Sequence, residues 1–69
     1  MRVTYDGKAD AMYIALEDAK PKSVKQTIAL NDDIIVDFDA NKKIIGIEIL
    51  SASKNITKRE LEAVEKIRA

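Results

Sequence analysis

Apolar and polar residues alternate in two short N-terminal segments, 2–5 and 11–16, with the period of half-buried β-strands. The segment between them, Asp6-Gly7-Lys8-Ala9-Asp10, is rich in turn-forming residues. The two segments are therefore predicted to form a hairpin. If Asp6 lies opposite Ala11, the larger apolar side chains fall on one side of it. They are Val3, Tyr5, Met12, Ile14 and Leu16.

Three further strands are predicted downstream, at residues 24–30, 34–39 and 44–50. Asn41-Lys42 suits a two-residue turn between the last two. With that turn, the apolar residues of the last hairpin pair on one face: Phe38 with Ile45, Val36 with Ile47, and Ile34 with Ile49. On its other face the predicted pairs are Asp37 with Gly46 and Ile35 with Glu48, which makes Asp37 and Glu48 diagonal neighbours.

Two local signals mark the start of a C-terminal helix. Thr57-Lys58-Arg59-Glu60 has the pattern of a capping box, with Thr57 as N-cap, and Ile56 can pack on Leu61 as a hydrophobic staple. Apolar residues at helical spacing then form a narrow stripe suited to lying on a sheet. The predicted fold is α+β: a five-stranded antiparallel meander sheet with one C-terminal helix packed on one face. We expect one domain over 1–69, with the sheet at about 2–50 and the helix at about 57–68.

One short helix cannot cover both faces of such a sheet, and four apolar residues are predicted to point away from it: Tyr13, Ile35, Ile44 and Leu50. They are either scattered surface residues of a monomer or a self-complementary dimer surface. A core of this size gains stability from a partner, so we take the four as interface candidates. The expected partner is a second copy or another small protein.

The composition of the chain excludes several kinds of chemistry. The chain has no cysteine and no histidine, which removes disulfides, thiolate chemistry and the side chain most used for zinc binding and general base catalysis. No cofactor is expected. Lys+Arg and Asp+Glu are equal at 12 each, so nucleic acid is not the expected partner. Because no apolar run approaches the ~20 residues that span a bilayer, and no signal-peptide pattern is present, we expect a cytoplasmic protein without a membrane partner.

Carboxylates are the remaining candidates for chemistry. Asp6 and Asp10, the turn carboxylates, flank the first turn, where aspartate accepts backbone N–H hydrogen bonds; a hard-cation site is the alternative. Asp37, Asp39 and Glu48, the acidic cluster, belong to a solvated sheet face or to a divalent cation or acid/base pair, and the sequence leaves metal binding open. No activated nucleophile or phosphate-binding loop accompanies them, so an enzyme is the less favoured interpretation.

Five segments in this order resemble the YuzE-like family, domain of unknown function family 2283. They are Tyr5-Asp6, Asp10-Ala11-Met12-Tyr13-Ile14, Ile35-Val36-Asp37-Phe38-Asp39, Gly46-Ile47-Glu48-Ile49-Leu50 and Ala52-Ser53. The resemblance covers almost all of residues 2–53. The helix from Thr57 is less typical, and Asn41-Lys42-Lys43 stands where the family usually has a turn glycine.

The resemblance implies a compact α+β fold in small prokaryotic proteins and supplies no established activity. Some members look like neighbours of small toxin-like proteins, which suggests an antitoxin or an accessory binding partner. The expected function is therefore a protein-interaction module, possible partners being a homodimer mate or a neighbouring small protein. The alternative is a cation- or small-ligand-binding protein that uses the acidic cluster.

Overall fold

The computed structural model describes residues 1–16 and 23–68, and the side chains among them up to residue 64. Within these residues lie β1 (Arg2–Asp6), β2 (Ala11–Ala15), β3 (Gln26–Ala29), β4 (Ile34–Phe38), β5 (Ile44–Ile49), α1 (Ala52–Asn55) and α2 (Lys58–Arg68). The predicted strands agree with these bounds to within two residues. Pro21, the only proline of the chain, predicts a loop between the second and third strands, and most of that loop lies outside the described residues.

The strands form one antiparallel sheet in the order β1-β2-β5-β4-β3. The α+β class and the five-stranded antiparallel sheet are confirmed. The meander order is wrong, because β5 and not β3 pairs with β2. Burial gives the physical reason: β5 is the most buried of the described strands, with three of its six residues buried, whereas every residue of β3 is exposed. The central position removes the more apolar strand from water.

The predicted register of the first hairpin is confirmed, with Asp6 opposite Ala11, Tyr5 opposite Met12, and Val3 opposite Ile14. In the last hairpin all but one of the predicted pairs are confirmed. The exception is Phe38, which pairs with Ile44 and not with Ile45, because the register shifts between Asp37 and Phe38. The extra residue is accommodated by a local irregularity of the kind called a β-bulge.

The turn between β4 and β5 is longer than predicted. The Asp39 N–H donates to the Lys43 carbonyl at 3.0 Å, and the Lys42 N–H donates to the Asp39 carbonyl at 3.1 Å. The loop is therefore Ala40-Asn41-Lys42, and the two-residue turn is wrong. Lys42 has φ 64°, the left-handed conformation that such a loop requires at its last position. Glycine adopts this conformation at lower cost than lysine.

The hydrophobic core lies between the sheet and the two helices. Its buried members are Met12, Ile49, Ala52 and Leu61, around which Val3, Tyr5, Ile14, Ile47, Ile56 and Val64 are partly buried. Helix α2 lies against β1. None of the helices in the described parts of the chain has the length and apolar character needed to cross a membrane.

Both helix starts have identifiable causes. The Thr57 hydroxyl oxygen accepts the Glu60 N–H at 3.2 Å and lies 3.3 Å from the Glu60 carboxylate, so the predicted cap forms at α2. Ile56 and Leu61 share the core cluster, as the staple requires. The polar residues of segment 51–55 predict a connector between β5 and α2, but the structure forms helix α1 there. It begins after Ser51, which has φ 50°, and places Ala52 at 0% exposure.

Candidate functional site

Asp10 joins the first hairpin to helix α1. Its backbone carbonyl accepts the Ala52 N–H at 2.8 Å. Its carboxylate accepts the Ser53 N–H at 3.0 Å and the Ser53 hydroxyl at 2.6 Å. The Tyr5 hydroxyl donates to the same carboxylate at 2.7 Å. We call these four residues the Asp10 clamp: Tyr5, Asp10, Ala52 and Ser53. Their hydrogen bonds connect the first hairpin to the start of α1.

The hydrogen bonds of the clamp favour the charged form of Asp10. The Ser53 hydroxyl has the largest effect, followed by the Tyr5 hydroxyl, and together with the Ser53 N–H they hold the pKa of Asp10 below its ordinary value of 3.8. Asp10 has φ 52°, a conformation that aspartate tolerates better than most residues. Asp6, the other turn carboxylate, accepts the N–H groups of Lys8 at 3.0 Å and Ala9 at 3.4 Å. Asp6 thus makes the local hydrogen bonds expected of a turn aspartate, whereas the Asp10 carboxylate is bonded to Tyr5 and to Ser53, 43 residues further along the chain.

The sheet face opposite the helices carries a hydrogen-bonded network across four strands. The Tyr13 hydroxyl on β2 donates to Asp37 on β4 at 2.8 Å. The Thr27 hydroxyl on β3 donates to the other carboxylate oxygen of Asp37, also at 2.8 Å. Between them, the Tyr13 side chain crosses Gly46 on β5, where a Cβ atom would overlap the tyrosine hydroxyl. Glycine at this position is therefore what allows Tyr13 to reach Asp37.

Burial and nearby negative charge keep Tyr13 in its neutral, proton-donating form. Burial contributes most, and the hydrogen bond to Asp37 and the charges of Asp37 and Glu48 add to it, so that the pKa of Tyr13 rises from 10.0 to about 12. A phenolate here would face two carboxylates. The hydroxyl is accordingly a donor across the physiological pH range.

The acidic cluster is divided by the structure. Asp37 accepts a hydrogen bond on each oxygen, and Glu48 lies opposite Ile35 on the neighbouring strand. Asp39 instead accepts the N–H groups of Asn41 at 2.8 Å and Lys43 at 3.0 Å within its own turn. Among the described residues, no group of three or more histidine, cysteine, aspartate or glutamate side chains is placed to hold a metal ion.

The four interface candidates do not form one patch. Tyr13 and Ile35 flank Glu48 in a single row across the sheet, and both are half-buried. Leu50, also half-buried, follows the end of β5 and donates its N–H to the Asp33 carbonyl at 2.7 Å. Ile44 is 47% exposed, but the bulge pairs it with Phe38 and so separates it from the row of Tyr13.

An open concavity of about 580 Å³ lies on the same side of the sheet as Tyr13. Its polar wall is formed by Thr4, Asp6, Tyr13 and Glu48. One of its carboxylates, Asp6, already accepts backbone hydrogen bonds. The concavity offers a hydroxyl, a phenol ring and the Glu48 carboxylate to solvent, without an enclosed volume.

The outer edge of β3 is the surface that the sequence interpretation missed. β3 pairs only with β4 in the described sheet, and all four of its residues are exposed. Ile28 is 41% exposed, and Leu30, just beyond the strand, is 65% exposed. The signal was present, because Ile28 and Leu30 fall on the apolar side of their strand. Only the strand order shows that they end at an edge.

A five-stranded antiparallel sheet packed on one face by a C-terminal helix defines a small α+β domain. The family described as "Protein of unknown function (DUF2283)" matches residues 2–53, which include the Asp10 clamp and the Tyr13–Asp37–Thr27 network. The chain belongs to this family. It is also 42% identical, over 76 aligned positions, to an uncharacterized protein of Methanocaldococcus jannaschii. That match covers 97% of this chain and 62% of the archaeal protein. No solved structure matches the chain.

Proposed function

We propose that the chain is a protein-interaction module that binds an extended segment of its partner along the outer edge of β3. The observation that carries the proposal is the exposure of this whole strand, together with Ile28 and Leu30, in a chain whose other described strands each contain at least two half-buried or buried residues. Strand addition at a sheet edge is a recurrent mode of peptide recognition, in which backbone hydrogen bonds supply affinity and side chains supply selectivity.

The composition of β3 supports this proposal. Sheet edges that do not bind other chains are usually protected by charged residues, prolines or a covering element. β1, the opposite edge, ends in Arg2 and Asp6 and has α2 against it. β3 reads Gln-Thr-Ile-Ala and contains neither a charged residue nor a proline. Its edge therefore lacks the residues that discourage strand pairing.

The direction of the backbone groups also supports it. The Leu30 N–H donates to the Ile34 carbonyl at 2.8 Å, so Leu30 faces β4. In an antiparallel ladder the inward direction alternates, which turns the N–H and C=O groups of Thr27 and Ala29 away from β4. The Thr27 hydroxyl is held by Asp37, which orders this part of the edge before a partner arrives.

One partner that suits this edge is an extended segment of a small protein encoded by a neighbouring gene. Binding such a segment would give the chain an antitoxin-like or accessory role. The cation-binding alternative has less support, because both oxygens of Asp37 are engaged and Asp39 is turned into its own loop. The edge is thus the surface for which the described contacts make the stronger argument.

Amide hydrogen exchange, measured by NMR on a dilute monomeric sample, tests the proposal. We expect the amides of Thr27 and Ala29 to exchange at least about tenfold faster than that of Leu30, which is bonded to Ile34. Equal protection of all three would show that the edge is closed, and the proposal would fail. With a co-expressed neighbouring protein, Ala29→Pro should abolish co-purification, whereas the matched Ala29→Ser should retain it, because only proline removes the outward N–H.

A further inference from the structure

We infer that the partner of the β3 edge is a second copy of this chain, added antiparallel about a two-fold axis at Ala29. The inference rests on the proposed function, since it specifies what the edge binds. It would join two five-stranded sheets into one continuous sheet and remove both β3 edges from water. A small domain gains from such a contact, because its own core is limited.

The exposed apolar residues favour this register. With Ala29 opposite Ala29 of the second copy, their outward N–H and C=O groups form a hydrogen-bonded pair. Ile28 then lies opposite Leu30 of the second copy, and the two-fold axis repeats this contact. Ile28 pairs with Val36 within the chain, so both contacts lie on the helix-covered side of the sheet. One register therefore buries both apolar residues that β3 and its end leave in solvent.

The charges at the two ends of the strand are complementary in the same arrangement. Lys25 precedes β3, and Asp32 and Asp33 follow Leu30. Antiparallel addition at Ala29 brings Lys25, before one β3, toward Asp32, beyond the end of the other β3, and the two-fold axis repeats this approach. Asp33 takes no part, because its carbonyl accepts the Leu50 N–H and its carboxylate accepts the Asn55 side-chain amide. Parallel addition would instead bring like charges to the same end. The chain has a formal net charge of zero, so no overall repulsion opposes self-association.

Light scattering over a dilution series tests the inference on the intact chain. We expect a mass of twice 7.7 kDa that falls to the monomer on dilution. Leu30→Lys adds a charge to a side chain that is 65% exposed and should raise the dissociation constant by about 30-fold. Ile44→Lys, at a site 47% exposed but away from β3, is the matched control and should leave the dimer intact.

A cross-linking experiment keeps the test independent of affinity changes. The chain has no cysteine, so Ala29→Cys introduces a single thiol at the axis. Cα atoms of directly opposite residues lie about 5.5 Å apart in such a pair, within the range of a disulfide. Under mild oxidation Ala29→Cys should form a covalent dimer, and Thr4→Cys, on the β1 edge, should remain a monomer.

A monomer at all concentrations, a dimer that Leu30→Lys leaves unchanged, or equal cross-linking from Cys at positions 4 and 29 would each overturn the inference. Hydrogen exchange on the monomeric sample separates this failure from that of the proposed function. If Thr27 and Ala29 exchange rapidly, the edge is open and only the second copy is wrong. If they are protected, both the inference and the proposed function fail.

Discussion

The two edges of the sheet differ in how they are protected. The β1 strand begins and ends with a charged residue, and α2 lies against it. The turn that follows β1 is hydrogen-bonded to α1 through the Asp10 clamp. The β3 edge has exposed residues throughout and no charge within the strand. Both strands are predicted from the local sequence, but the local sequence does not show that β3 lies at an uncovered edge. Whether an edge strand is covered depends on where the C-terminal helix lies, and α2 lies against β1.

This contrast separates two uses of apolar surface. Near β1 and β2, apolar side chains are buried with Leu61 and Ala52, and they stabilise the fold. Near β3, Ile28 and Leu30 contribute little to the core and are available to a partner. We therefore expect substitutions near β1 to change stability and substitutions near β3 to change association.

The largest expected change in stability comes from the hydrophobic core between the sheet and the helices. Leu61→Ala removes a side chain that is 8% exposed and should lower the free energy of unfolding by about 3 kcal/mol. Leu30→Ala should change it by less than about 0.5 kcal/mol in a dilute monomeric sample. Urea denaturation followed by circular dichroism measures both. Similar losses for the two variants would contradict the division between the edges.

The next largest effect concerns the Tyr13–Asp37–Thr27 network, which connects β2 with β4 and β3. Gly46→Ala should cost about 2 kcal/mol in urea denaturation, because the added methyl group overlaps Tyr13. Gly7→Ala is the matched control, since its nearest neighbour would be 3.9 Å away. In a Tyr13→Ala background the cost of Gly46→Ala should largely disappear. A cost that persists there would assign the need for glycine to the backbone instead.

The Asp10 clamp should make the β1 side sensitive to acid. Because the folded-state pKa of Asp10 lies below 3.8, its contribution is complete above that pH and is lost as pH falls through the folded value. Ser53→Ala should lower the midpoint of thermal unfolding at pH 7, because it removes the hydrogen bond from the Ser53 hydroxyl to the Asp10 carboxylate. Thermal unfolding between pH 7 and pH 2 should show a shallower acid loss in Asp10→Asn than in the exposed control Asp32→Asn. Identical pH profiles would argue against the clamp.

Tyr13 should report on the network at high pH. NMR titration of its labelled ring should give a midpoint near pH 12, compared with an ordinary value of 10.0. Since the folded-state pKa is raised, the stabilising contribution is complete below pH 10 and is lost as pH rises through 12. Asp37→Asn should lower the midpoint only in part, because burial has the larger effect. An unshifted wild-type midpoint would contradict the hydrogen bond.

The smallest effect is expected at the β4–β5 turn. Lys42→Gly should stabilise the chain by up to about 1 kcal/mol, because glycine adopts the φ of 64° without the cost that a side chain imposes. Lys43→Gly, next in the chain but outside the left-handed position, should give no gain. Urea denaturation of the two variants measures the difference. A loss of stability in Lys42→Gly would contradict the assigned turn.

Much of the fold was predictable from local patterns. Alternation and turn residues placed the first hairpin in its correct register, and the capping signals at Thr57 placed the start of α2. The turn at Lys42 was mispredicted because lysine gives no sign of a left-handed conformation. Helix α1 was missed because a single turn of helix has too few residues to show a periodic pattern.

The candidate sites were less predictable. Asp37 was correctly expected opposite Gly46, but nothing in the spacing showed that Tyr13 would cross that glycine from another hairpin. Asp10 was read as a turn residue, and its bonds to Ser53 connect positions 43 residues apart. Contacts of this separation depend on how the completed elements pack.

The sequence by itself determined the strands, the register of the β1–β2 hairpin, all but one pair of the β4–β5 hairpin, the start of α2, and the lack of thiol and imidazole side chains. These follow from residue type and from interactions between near neighbours. The tertiary structure decided the strand order, the Asp10 clamp, the path of Tyr13 over Gly46, and which edge of the sheet stays exposed. These features depend on which whole strands are buried in the folded sheet. β5 lies at the centre, where its side chains are removed from water, and β3 lies at the edge.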